Sequence, residues 1–176
     1  MKRLAFFASL LLAAPVQAQT DAVMLARTCV SERGWRTETD DCAAIGAVVL
    51  GRVARLGGTV RQSIRALSSV LHHPVPEEHP IDRPWLRHLH ADARYPRGLH
   101  ATWTEPRRGG LPSRRDAWLA TLREAEGILD GSVPSPCAEV PVSWGSDRDL
   151  ALGQMRGGRW HHVACGAVAN HFGWWL

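Results

Sequence analysis

Between Ala22 and Leu56 the chain reads AVMLARTCVSERGWRTETDDCAAIGAVVLGRVARL, two runs of helical periodicity separated by a short polar turn. In the first, from about Asp21 to Ser31, Val23, Met24, Ala26 and Val30 form an apolar stripe at helical spacing. Gly34 is the expected stop, because a residue without a Cβ enters the left-handed conformation at a helix end without steric cost. In the second, from Asp41 to Leu56, the apolar face is built from Cys42, Ile45, Val48, Val49, Val53 and Leu56. Ala43, Ala44, Gly46 and Ala47 are small enough for another helix to come close, so this helix is read as central, with Thr39 or Asp40 as its N-cap. A chain that starts this way is expected to be mainly α-helical.

The same reasoning places two further helices. Gly57-Gly58 breaks the chain and Thr59 caps a third helix, Val60 to Ser69, with Val60, Ile64 and Leu67 facing inward. Ser113 and Asp116 have capping-box spacing and open a fourth, Arg114 to Leu129, with a stripe of Ala117, Trp118, Thr121, Leu122, Ala125 and Leu129. Between them, Leu71 to Pro112 holds seven of the 11 prolines, six of the nine histidines, and both Trp85 and Trp103. Proline at that density denies a long helix or a central strand. The stretch is therefore read as a long ordered loop with one short helix near Pro84 to Leu89. Val140 to Trp144 and Trp160 to Cys165 read as short strands of a small β region near the C-terminus.

Lys2 and Arg3, an apolar run from Leu4 to Ala14, and Val16-Gln17-Ala18 describe a secretory signal peptide over residues 1–18, cut after Ala18. The run is too short to cross a bilayer as a helix, so no stable membrane insertion is expected after cleavage. Residues 19–176 are then one domain with a periplasmic or secreted location. Loss of Lys2 and Arg3 lowers the formal charge from +4 to +2, and the remaining arginines are interleaved with acids. Nucleic acid needs a concentrated positive footprint, so it is set aside as a partner. An even set of cysteines in an exported chain favours two disulfides. Of the three pairings, Cys29–Cys42 and Cys137–Cys165 are preferred because each joins neighbouring elements. The rival, a zinc site, has no CxxC or CxxH spacing behind it.

Several elements, in order, resemble the spore cortex-lytic and cell-wall hydrolase family, peptidoglycan-cleaving proteins with a lysozyme-like helical core. Leu25-Ala26-Arg27 followed by Glu32 is similar to the family's first helix, and Ala47-Val48-Val49-Leu50-Gly51-Arg52-Val53 to its second. Ala125 to Gly131 (AEGILDG) is similar to a later helix end, and Asn170-His171-Phe172 to a histidine–phenylalanine pair near the C-terminus. The chain departs from the pattern at Gly51, where the family has asparagine, and at Arg33-Gly34 after Glu32. The glutamine–phenylalanine element expected around Ser68 to His73 is missing. The resemblance implies a lysozyme-like fold, peptidoglycan as substrate, Glu32 as the catalytic acid, and His171 and Phe172 near the substrate. No cofactor is implied.

Breaking a β-1,4 glycosidic bond requires a proton on the leaving oxygen, and a carboxyl group carries one near neutral pH only where apolar surroundings raise its pKa. Glu32 ends an apolar helix and is close to Trp35 in sequence; the bland alternative is a helix-end carboxylate paired with Arg33 or Arg36. Glu38, Asp40 and Asp41 look suited to turn and capping work, so no second carboxylate stands out. One acid suffices if the muramic acid 6-hydroxyl attacks C1 and leaves a 1,6-anhydro end, which is the lytic transglycosylase route. Trp35 and Trp144, with Trp85, Trp103 and Trp160, are candidates to stack on sugar faces, whereas Trp118 is in core register. His88, His90 and His100, or His161, His162 and His171, offer a metal reading without an HExxH helix; His161 and His162, adjacent in a strand, would face opposite ways. Two other functions stay open: a non-catalytic exported module that binds wall or protein, and a metal-dependent hydrolase.

Overall fold

The computed structural model describes residues 14–68 and 106–176. Nearly all of the hydrophobic run of the expected signal peptide, most of the proline-rich stretch, Trp85, Trp103 and the histidines at 88, 90 and 100 lie outside them. Among the described residues the protein is mainly helical, with one small sheet. The helices are α1 (Ala14–Arg33), α2 (Asp41–Leu56), α3 (Val60–Leu67), α4 (Arg114–Asp130) and α5 (Asp147–Met155); the strands are β1 (Ser143–Gly145), β2 (Trp160–Val163) and β3 (His171–Trp175).

Helix α1 begins earlier and ends later than its stripe suggests, and it runs unbroken through Ala18. Pro15 lies in its first turn, where the missing N–H has no intrahelical partner to lose. Gly34 ends it at φ 68°. Helix α2 has the expected bounds. Asp40 occupies its N-cap position but makes no side-chain cap; its carboxylate accepts the Ala167 N–H at 2.7 Å instead. Thr59 caps α3 through a full capping box with Gln62, and Ser113 accepts the Asp116 N–H at the start of α4.

The core is the seam between α1, α2 and α4. Leu25, Ala26 and Cys29 meet Cys42, Ala44, Ile45, Val48 and Val49, and Trp118, Ala125 and Ile128 close the other side, with Ile64 of α3 beneath. Ile128, not Leu129, is the more buried residue at the end of α4. Gly46 is where Ile128 lies against α2, and Gly51 is where Val140 does, so the glycine that departs from the family pattern makes room for the segment entering the sheet. Cys29–Cys42 ties α1 to α2 inside the core and Cys137–Cys165 ties the two C-terminal segments. Two disulfides fit an oxidising compartment. Among the described residues no single helix is long and apolar enough to cross a membrane.

The β region has three strands, not two, in the antiparallel order β1-β3-β2. The unforeseen strand, β3, is the central one, pairing Trp144 with Phe172 on one side and Val163 with Phe172 on the other. Strand β1 spans 143–145 instead of 140–144, and β2 spans 160–163 instead of 160–165, with Cys165 bridged to Cys137 beyond its end. The unforeseen helix α5 packs on β1 and β2, with Trp175 seated against Gly153.

One ion pair holds the helical body in register. Arg33 is 2% exposed, and its Nη2 donates to Glu124 Oε2 at 2.7 Å and to Thr121 Oγ1 at 3.0 Å. Its Nη1 reaches Glu124 Oε1 at 3.4 Å and the Thr39 carbonyl at 3.2 Å. Removing one partner of such a pair strands the other charge out of water, which costs about 3–5 kcal/mol. Glu124→Ala should therefore lower the unfolding free energy by about 3–5 kcal/mol in a denaturant titration; a loss under about 1 kcal/mol, the scale of an exposed pair, would refute a buried clamp.

Candidate functional site

Glu32 and Arg33 are one residue apart on α1 and so point about 100° apart around the helix. With Arg33 drawn inward to α4, Glu32 faces the side where α3 ends and β1 begins. Ser68, the C-cap residue of α3, is buried and donates its hydroxyl to Glu32 Oε1 at 3.1 Å. Trp144, the middle residue of β1, presents its indole N–H to the same carboxylate. Glu32 is half-buried, and neither Arg33 nor Arg36 pairs with it: Arg33 takes Glu124, while Arg36 donates to the Arg33 carbonyl at 3.3 Å.

Burial is the largest influence on this carboxyl and raises its pKa. The Ser68 hydroxyl and the Trp144 indole favour the ionised form and pull the other way, and the negative charge of Asp149 adds to the rise. Burial and Asp149 together win. A carboxyl that keeps its proton above the ordinary range, and is still reachable from solvent, is equipped to give that proton to a ligand.

The other expected site residues divide. Trp144 is at Glu32. Trp35 is partly buried against the edge of the core, and its carbonyl accepts from Arg107 Nη2 at 3.0 Å. Phe172 is fully buried; its ring is a core residue beneath the sheet and has no face left for a substrate. His171 pairs with Gly145, one position along from the Trp144–Phe172 pair, so its side chain leaves the opposite face of the sheet. There its Nε2 lies 2.6 Å from Asp147 Oδ1 in α5, with the His162 ring edge-on at 6.0 Å. Alternation along β2 likewise sends His161 to the other face, where it stacks on Trp174 at 4.1 Å. Among the described residues no group of three His, Cys, Asp or Glu side chains is arranged to hold a metal ion.

Ser68 and Asp149 were not singled out in the sequence. Ser68 is the first of two adjacent serines at a helix end, without a pattern of its own. Asp149 did carry a signal: Ser146-Asp147-Arg148-Asp149 repeats the Ser-x-x-Asp spacing that identified the start of α4, and it opens α5 with a full capping box.

Compared with known protein families, with curated proteins and with solved structures, the chain matches none.

Because the folded protein favours protonated Glu32, the stability this residue contributes is present at acid pH and is lost as pH rises from the ordinary 4.5 through the raised value. Glu32→Gln, which cannot ionise, should melt at a higher temperature than wild type at pH 8, with the gap closing towards pH 4. Melting curves across that range test this, and a gap that does not vary with pH would contradict a raised pKa.

Proposed function

We propose that this protein cleaves the glycan strands of peptidoglycan on a lysozyme-like helical body, with Glu32 as general acid/base. The reading is supported above all by the state of Glu32: a half-buried carboxyl with a raised pKa, reachable from solvent and flanked by Ser68 and the Trp144 indole. The proton would go to the oxygen of the scissile β-1,4 bond, because an alkoxide is a poor leaving group. Trp144, which meets that carboxyl through its N–H, packs part of its ring on the core, and the part left exposed would lie against a sugar. The order of sequence elements that resemble cell-wall hydrolases favours an anionic sugar–peptide polymer as substrate. The two disulfides agree with action outside the cytoplasm.

Removing the proton donor should cost about 10²–10⁴-fold in turnover. Zymography and turnover assays on purified wall material should show clearing by wild type and loss of that order in Glu32→Gln, with wild-type activity declining as rising pH takes the proton from the acid. Sedimentation of the protein with insoluble peptidoglycan, with no product formed even by wild type, would instead make it a wall-binding module.

A further inference from the structure

We propose that the arginine-rich turn before α4 is a receptor for carboxylates borne by the wall polymer, holding the strand beside the bond that Glu32 cleaves. The proposal rests on the reading of Glu32 as a glycan-cleaving acid, and it names the feature of the substrate that the protein recognises away from the reacting bond.

Along most of the chain basic residues are interleaved with acids, but residues 107–115 read RRGGLPSRR, four arginines and no acid. The segment folds back on itself. The Arg107 N–H donates to the Leu111 carbonyl at 3.0 Å, and Gly109 and Gly110, at φ 80° and 74°, make the reversal between them. The Arg107 side chain is half-buried and planted at two points: its Nε donates to the Pro112 carbonyl at 2.7 Å and its Nη2 to the Trp35 carbonyl at 3.0 Å. A fifth arginine joins from the end of α1, where Arg36 donates through Nε to the Arg33 carbonyl at 3.3 Å and is otherwise exposed. Arg108 and Arg115 are exposed as well.

These hydrogen bonds bring the turn to the end of α1 that carries Glu32. Arg33 adjoins Glu32, and Trp35 is three residues from it, a reach of about 11 Å at full extension. A polymer bound at Glu32 runs on past the cleaved bond, so its acidic side groups come within range of the arginines.

The described residues leave most of this charge unmatched. Arg36, Arg107, Arg108 and Arg115 make no ion pair with any of them, and Asp116 is engaged by the Ser113 hydroxyl at 2.7 Å. Five arginines against Glu38 and Asp116 leave an excess of three positive charges. The exposed Glu38 carboxyl is held below the usual carboxylate range, first by the backbone N–H groups of Glu38 and Thr37 and then by the charges of Arg36 and Arg107, so both cations favour an anion at this corner. Arg115 lies in the first turn of α4, where the helix dipole disfavours a positive charge, and folding therefore gains nothing from it. A guanidinium meets a carboxylate through two parallel hydrogen bonds, which a planted or turn-borne arginine makes with little loss of freedom. Peptidoglycan offers carboxylates from two sources, the lactyl group of muramic acid and the peptide attached to it.

The test is sedimentation of Glu32→Gln, which holds the strand uncut, with native wall, with wall whose carboxyl groups have been amidated, and with strands stripped of peptide by an amidase. In that background Arg108→Gln/Arg115→Gln is compared with Arg156→Gln/Arg159→Gln, which removes two exposed charges next to the sheet. The first pair should bind native wall about 10-fold more weakly at low salt, with the difference fading as salt rises. The second pair should bind as the parent does, and on amidated wall all three should bind alike. Stripped strands locate the carboxylate: an advantage of Arg108 and Arg115 that persists there comes from the lactyl group, and one that vanishes comes from the peptide. Native-wall binding undiminished in Arg108→Gln/Arg115→Gln, amidated wall bound as well as native wall, or duplex DNA bound more tightly than wall would overturn the proposal while leaving Glu32 as the acid. Undiminished turnover in Glu32→Gln would overturn the catalytic reading instead, and the binding measurements, which need no turnover, would still decide the role of the arginines.

Discussion

The position of Glu32 depends on its neighbour. Arg33 is almost wholly buried, and a guanidinium in that setting is tolerable only if its charge and donors are matched. Glu124 and Thr121 of α4 and the carbonyl of Thr39 match its charge and its two terminal nitrogens from two separate parts of the chain, while its buried Nε has no hydrogen-bond partner among the described residues. The last turn of α1 therefore has one rotational setting, and the adjacent carboxylate has one direction. Had Glu32 taken Arg33 as its own partner, it would be a charged helix-end residue with nothing to raise its pKa.

What Arg33 does for the helical body, Asp41 does for the sheet. This fully buried carboxylate accepts N–H groups from Ala169 and Asn170 and the Asn170 side-chain amide, all at 3.0–3.1 Å. Asp40 beside it holds Ala167. The turn that starts α2 thereby fixes where β3 begins, and β3 in turn carries β1 and Trp144 to the acid. Acids that looked like ordinary turn residues thus position the sheet relative to the helices, which a local reading of Thr37 to Asp41 has no means of showing.

The helices were legible because their stripes, caps and glycine stops are local, and α2, α3 and α4 have nearly the expected bounds. The cysteine pairing was legible for the same reason, each bridge joining adjacent elements. The third strand was not. The segment His171-Phe172-Gly173-Trp174-Trp175 has a glycine at its centre and no β-branched residue, and its place between β1 and β2 comes from partners elsewhere in the chain. Helix α5 buries none of its residues, so it has no apolar stripe to read, only its cap. In the site, Glu32 stood out through its helix, while Ser68 and Asp149 arrive through tertiary contacts. Trp35 was favoured for its nearness in sequence, yet the indole at Glu32 belongs to Trp144, more than a hundred positions away.

Ser68 contacts Glu32, and Arg107 contacts the carbonyl of Trp35. The chain between those anchors thus departs from, and comes home to, the same end of α1. A change that loosens the last turn of α1 would therefore disturb both attachment points and the carboxylate together.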